Sequence, residues 1–363
     1  AKVEEQRRRA AERRAGVLVS VICPTTPERA PLHPLLYACF LAQTHARREL
    51  VVYDTGAEGT PSPYWLDVCA KDGRVTYHHD SAFHMNVGHK RNVLVDRCEG
   101  DVVAMFDDDN FYAPTFIEIM LRHLLDSGAR MVSLSGFYGY ATDEAMGHAV
   151  CTQWEYYRNV GGRGETQLFW KSADDVEGQT PGAARVPLFD AEVTWGEEGV
   201  LISESRPLGW HRVWDDVGIF LHVYHGHNFT LVHPDEFKEE IRDADGVAWK
   251  RAEAGVEWRP ASRKEIPNLE LLRLFDDWHG ARRVFDGVFA TPVDPEGEQA
   301  PDDWYDLPDT MKANIHVRPR RVRPSDVADL ESDGEDEYEA IAARERRAAE
   351  ASEAARKKRE GTA

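Results

Sequence analysis

The sequence predicts an α/β fold: a single domain with a mostly parallel central sheet flanked by helices, and charged tails at both ends. Three observations predict it. From residue 17 onward, short and nearly continuous apolar runs alternate with helical stretches, the pattern of βαβ units. Several of these runs close on Pro or Asp, as strands buried on both faces of a parallel sheet can. A hydrophobic fraction of 42% in 363 residues supplies a packed core, while 27 Gly and 19 Pro without a period exclude a collagen-like or solenoid chain.

The elements follow in order. Residues 1–16 are rich in Arg, Glu and Ala without an apolar stripe, a charged N-terminal tail. Residues 17–23 form the first apolar run, closed by Pro24, and a helical stretch spans 34–43. Residues 49–53 are a second strand ending in Asp54-Thr55-Gly56, followed by a helix near 64–71 and a strand at 74–78. A helix over 86–98 feeds a strand at 101–106; a helix with an apolar face covers 116–125, and 130–134 is the next strand. From Ser135 to about Pro187 the pattern loosens around the loop Gly161-Gly162-Arg163-Gly164, and only 166–171 reads as a strand. A helix opens over 198–203 and a strand covers 218–224. The domain is therefore expected over 17–235, a helical and irregular extension over 236–318, and a charged low-complexity tail over 319–363.

Charge bounds the partners. Lys and Arg total 44 against 64 Asp and Glu, a net charge of −20, which argues against nucleic acid as a partner. Handling an anionic substrate would require a metal ion or a local basic pocket. The five cysteines are odd in number and lack a C-x-x-C pair, so buried thiols are expected and neither a zinc knuckle nor a disulfide framework. No apolar stretch approaches a membrane span and no signal-peptide pattern opens the chain. A cytoplasmic location is the expectation, or a secretory-pathway lumen if an anchor precedes Ala1.

The sharpest feature is an apolar strand running into Asp107-Asp108-Asp109-Asn110. Ligands of open α/β sheets sit beyond the carboxyl ends of strands. Clustered carboxylates there repel one another unless a cation neutralises them, and oxygen ligands select Mg²⁺ or Mn²⁺. A plain acidic turn is the competing account. Lys90, Arg91 and Asn92 begin the helix that feeds this strand and could hold a phosphate or the carboxylates. Asp54 ends an earlier strand, where it could accept from a base N–H or a ribose hydroxyl. Glu197 and Glu198 follow Trp195-Gly196; such acids serve a helix dipole or, alternatively, act as a general base. His222, His225 and His227 cluster at the end of an apolar strand.

In this order the blocks carry a resemblance. Val19-Ser-Val-Ile-Cys-Pro24-Thr, Leu41-Ala-Gln43-Thr44, residues 49–56, Gly88-His-Lys-Arg91-Asn92 and residues 100–114 resemble the nucleotide-diphospho-sugar domain of the family-2 group of glycosyltransferases. Pro187-Leu-Phe-Asp190 followed by Gly196-Glu197-Glu198 is similar to that group's Gly-Glu-Asp segment, and Tyr224-His225-Gly226-His227-Asn228 to its His-Gly-x-Asn segment. The likeness covers about residues 17–232.

The resemblance implies a GT-A fold and metal-dependent, inverting transfer of a sugar from a nucleotide-diphosphate donor, a UDP-sugar first among them, to an acceptor hydroxyl. By motif position it implies donor contacts from Pro24, Asp54, Lys90, Arg91, Asp107 and Asp108. Asp109 and His225 would hold Mn²⁺ or Mg²⁺, with His227 the alternative to His225. Glu198 would be the general base, and Glu197 and Trp195 would face the acceptor. Two positions depart from the family pattern: the acid pair ends in Glu198 rather than Asp, and Thr55 stands where a second acid is usual. A non-catalytic nucleotide-sugar-binding relative is the alternative function, and a nucleotidyltransferase a further one.

Overall fold

The computed structural model describes residues 12, 14–56, 60–81, 86–141, 154–159, 161–172, 189–191, 197–224, 237–244, 246–252 and 256–279. The chain divides into two compact units, and every described residue belongs to the first, Ala1–Pro295 with Asp306–His316.

The expected α/β class holds. Strands β1 (Val19–Thr25), β2 (Arg48–Thr55), β3 (Val75–Asp80) and β4 (Val102–Met105) form a parallel block in the order β3-β2-β1-β4. Their apolar runs are continuous because both faces are covered. On one face Val19, Val21, Cys23, Leu50, Val52, Val102 and Ala104 pack in the core shared with α1 (His33–Ala42), α2 (Pro63–Lys71) and α4 (Phe116–Ser127). On the other face Ile22, Val51, Tyr53, Val103 and Met105 pack with α3 (Val87–Arg97) and α5 (Gly199–Ser205) through Leu94, Val95 and Leu201. Cys23, Cys39 and Cys98 are buried free thiols, as expected; Cys69 is partly buried, and Cys151 lies outside the described residues.

Beyond β4 the pairing becomes mixed. β8 (Leu168–Trp170) pairs antiparallel with β4 and with the start of β6 (Met131–Ala141). β6 also pairs antiparallel with β7 (Trp154–Asn159) and parallel with β9 (Trp210–Trp214) and β10 (Phe220–Tyr224). The short β5 (Phe111–Tyr112) pairs with β10.

Two stretches differ from expectation. The strand expected over 130–134 continues through residues read as a loop, and every residue of Met131–Ala141 is buried. Its Ser and Gly look like turn signals in sequence, yet Gly136 makes room for rings of neighbouring strands: a Cβ there would lie 2.5 Å from the Tyr156 hydroxyl and 2.7 Å from Trp214. The region from 236, expected to be helical or irregular, contributes β11 (Phe237–Arg242), β12 (Ala248–Ala252) and β13 (Val256–Pro260) before α6 (Leu269–His279). β13 pairs with β7, so these strands extend the same sheet. Their charged residues suit a sheet margin and mask the strand period. Residues 280–363 lie outside the described ones; in the N-terminal tail Glu12 and residues 14–16 are helical. No described helix is long and apolar enough to cross a membrane.

Candidate active site

Parallel pairing brings the carboxyl ends of β1 to β4 to one edge. Thr25 stands opposite Asp54, and Asp54 opposite His79. Asp54 is buried; the Tyr77 hydroxyl donates to its Oδ2 at 2.8 Å and His79 Nδ1 lies 3.7 Å away. Its Oδ1 is buried without a hydrogen bond, and so are both His79 ring nitrogens. Such atoms cost free energy when unpaired, and the edge of a nucleobase would satisfy them. Pro24 precedes Thr25 on this edge. Lys90 reaches it from α3 and donates from Nζ to the Thr25 carbonyl at 3.0 Å. Burial lowers the Lys90 ammonium to about 8, against the pull of Asp54, Glu28 and Asp108.

The acidic triplet leaves β4 in a loop fixed at several points. The Tyr112 hydroxyl accepts from the Asp107 N–H at 2.9 Å and donates to the Glu165 carbonyl at 3.0 Å. Asn110 Oδ1 accepts from Val223 of β10 at 3.0 Å. The three carboxylates then diverge. Asp108, expected at the donor, is buried and engaged by the Thr25 hydroxyl at 2.6 Å and by Arg29. Asp109 also meets Arg29, at 2.6 Å. Asp107 keeps 33% of its side chain exposed. The surrounding protein still pushes its carboxyl up to about 7; Arg91 opposes that rise, and Glu165, Asp109 and Asp108 add to it.

Helix α3 organises the second acidic motif. Asn86 caps it, accepting from the His89 N–H at 2.9 Å, and its Nδ2 donates to the Ala191 carbonyl. Asn92 grips the Phe189 backbone at both ends, donating to its carbonyl at 2.8 Å and accepting from its N–H at 2.7 Å. The Asp190 N–H donates to the Glu197 carbonyl at 2.9 Å. Arg91 joins the motifs: it pairs with Glu197 and lies 3.4 Å from Asp107. Glu197, expected beside the acceptor, is thus buried against a guanidinium. Glu198 is partly buried at the start of α5, with Oε1 close to Gly164.

Sequence reasoning missed two cationic groups here. Arg29 follows β1 in a short 3₁₀ helix (Pro27–Leu32), where a lone base carries no period. Arg163, read only as part of a loop, donates to Glu165 at 2.5 Å and to His222 Nε2 at 2.9 Å, while His222 Nδ1 lies 3.1 Å from Glu165. Burial would raise Glu165, but Arg163 and His222 hold it well below the usual carboxylate range. Burial and Arg163 lower His222. Trp195, His225 and His227 lie outside the described residues.

The carboxylates of Asp107 and Asp109 are oxygen donors of the class that takes Mg²⁺ or Mn²⁺, at the edge where the substrate would lie. Among the described residues no group of three or more His, Cys, Asp or Glu is arranged to hold a metal ion. The carboxylate oxygens have the chemistry that a hard cation requires, and Asp109 is paired with the Arg29 guanidinium in this structure.

Residues 20–180 match the family model of glycosyl transferase family 2. A search of curated protein sequences gives no match. Among solved structures, the chain is similar to S. aureus TarS 1-349 in complex with UDP-GlcNAc, at 13% identity and a TM-score of 0.41, over 61% of this chain and 62% of that one. It is also similar to the mannosyltransferase PcManGT from Pyrobaculum calidifontis in complex with GDP-Man and Mn²⁺, at 17% identity and a TM-score of 0.40, over 57% and 56%. The chain thus spans about three fifths of the length of the structures it matches.

Proposed function

We propose that the protein transfers a sugar from a nucleoside-diphosphate donor to an acceptor hydroxyl, with inversion at the anomeric carbon and dependence on Mn²⁺ or Mg²⁺. The observation that carries this is the span of Arg91, whose guanidinium reaches both Asp107 and Glu197, residues 90 positions apart. This span supports reading the acidic loop after β4 and the acid pair before α5 as parts of one site. Asp54 and His79 would receive the base, and Lys90 and Asp107 would face the ribose and diphosphate. A uridine donor stands first: Asp54 keeps one oxygen without a partner, and uracil offers one ring N–H, whereas guanine presents two neighbouring donors.

Asp109, with Asp107 and His225, would hold the divalent cation, which would supply positive charge against the leaving diphosphate. Glu198 accepts the acceptor hydroxyl's proton as its oxygen attacks the anomeric carbon, and the carbon–oxygen bond to the diphosphate breaks on the opposite side. Glu197 is held by Arg91 and positions its neighbour. Trp195 would contribute to acceptor binding.

The test pairs two variants. Glu198→Gln keeps shape and removes basicity, so turnover should fall by roughly 10²–10⁴-fold while calorimetric affinity for UDP stays unchanged. Asp109→Ala should abolish the gain in UDP affinity on adding Mn²⁺. Full turnover in Glu198→Gln would move the base elsewhere, and equal UDP affinity in EDTA and Mn²⁺ would remove the metal from the reaction.

A further inference from the structure

We propose that Arg29 holds the place of the divalent cation in the donor-free protein and becomes a ligand of the donor's diphosphate when that cation takes Asp109. The inference rests on the metal-dependent reading above.

Arg29 is set between the two inner carboxylates. Its Nε and Nη2 lie 2.6 and 2.5 Å from Asp108 Oδ1, and Nη2 lies 2.6 Å from Asp109 Oδ2. All three side chains are largely withdrawn from solvent, at 14% exposure for Arg29, 2% for Asp108 and 9% for Asp109. Two adjacent buried carboxylates repel each other and require a positive charge. Arg29 is the described residue that ion-pairs with both.

The two ends of this arrangement differ. Asp108 is fixed a second time by the Thr25 hydroxyl at 2.6 Å, and His33 Nε2 stands 3.1 Å behind that hydroxyl. Arg29 grips Asp108 through two nitrogens but reaches Asp109 through one. The contact to Asp109 can therefore open while the Nε contact to Asp108 keeps the side chain hinged in place. A divalent cation and a guanidinium repel each other and compete for the same oxygen of Asp109. Once displaced, the guanidinium stands beside the cation with a free N–H edge. A diphosphate bridging to the cation offers the planar, multiply charged acceptor that an arginine fork matches. Lys90, held on the Thr25 carbonyl, supplies a second positive charge on the same edge. Cation and diphosphate should then bind cooperatively, since each favours the moved position of Arg29.

The experiment titrates Mn²⁺ into wild type, Arg29→Ala and Arg29→Lys, following free Mn²⁺ by electron paramagnetic resonance, without nucleotide and with UDP or GDP. Without nucleotide, Arg29→Ala should bind Mn²⁺ more tightly by roughly fivefold or more, the scale of a site-to-site coupling. In saturating Mn²⁺ it should bind the nucleoside diphosphate more weakly, so the cooperativity of the pair shrinks. Arg29→Lys keeps the charge without the fork and should fall between; it carries the test if the alanine variant does not fold. Wild-type Mn²⁺ affinity in both folded variants would overturn the role of Arg29 and leave the metal site standing. Absence of Mn²⁺ uptake by wild type with either nucleotide would overturn the metal reading and this inference together.

Discussion

Gly88→Ala tests how the second acidic motif is held. Gly88 lies in the first turn of α3, where a Cβ would fall 2.0 Å from the Asp190 carbonyl oxygen, 2.9 Å from its carbon and 3.0 Å from the Glu197 Cβ. A carbon–oxygen contact needs about 3.3 Å, so the Asp190 strap must retreat by roughly 1.3 Å. The opposing atoms are backbone, tied down by Asn92 on Phe189 and by the Asp190 N–H on Glu197, so no side-chain rotation relieves the clash. Overpacking of this kind costs about 1–3 kcal/mol, and the better helix propensity of Ala returns at most about 1 kcal/mol. The larger effect falls on chemistry. Glu198 follows Glu197 directly, and a misplacement of about 1 Å can cost on the order of 10²-fold in rate. The edge at Asp54 and His79 proposed to receive the base lies on β2 and β3 and does not move with the strap. Steady-state turnover, UDP calorimetry and thermal melting on one preparation separate these effects. Turnover should fall by about two orders of magnitude with UDP affinity little changed. Wild-type turnover and melting temperature would refute the claim that α3 sets the position of the acid pair.

Two other changes probe the same helix. Arg91→Met keeps length but leaves Glu197 buried without its partner, and should destabilise by about 3–5 kcal/mol in chemical denaturation; Arg91→Met with Glu197→Gln should recover much of that loss. Lys90 has a folded pKa of about 8, below its unfolded value, so the unfolded chain binds more protons between there and about 10.4. Its contribution to stability therefore rises with pH across that window. Lys90→Met should flatten the stability profile between about pH 8 and 10 relative to wild type, measured by urea unfolding, while an identical slope would show that the ammonium is not desolvated.

The sequence by itself determined the parallel block and the position of its acidic loops. Strands buried on both faces announce themselves as apolar runs, and their carboxyl ends must fall at one edge once they pair in parallel. Asp54 and Asp107 were legible for that reason. Glycine-bearing β6 and the charged strands β11 to β13 were not, because their partners supply the burial or tolerate the exposure that local pattern would otherwise forbid. Tertiary structure alone decided what each charged side chain faces. Asp107, Asp108 and Asp109 are equivalent in sequence, yet Asp107 remains partly open, Asp108 is closed by Thr25 and Arg29, and Asp109 shares that guanidinium. Likewise Glu197 is taken by Arg91 while Glu198 stays partly exposed. A buried charge is set by the counterion the fold delivers to it, and Arg29 and Arg91 reach theirs across about 80 and 106 positions of chain.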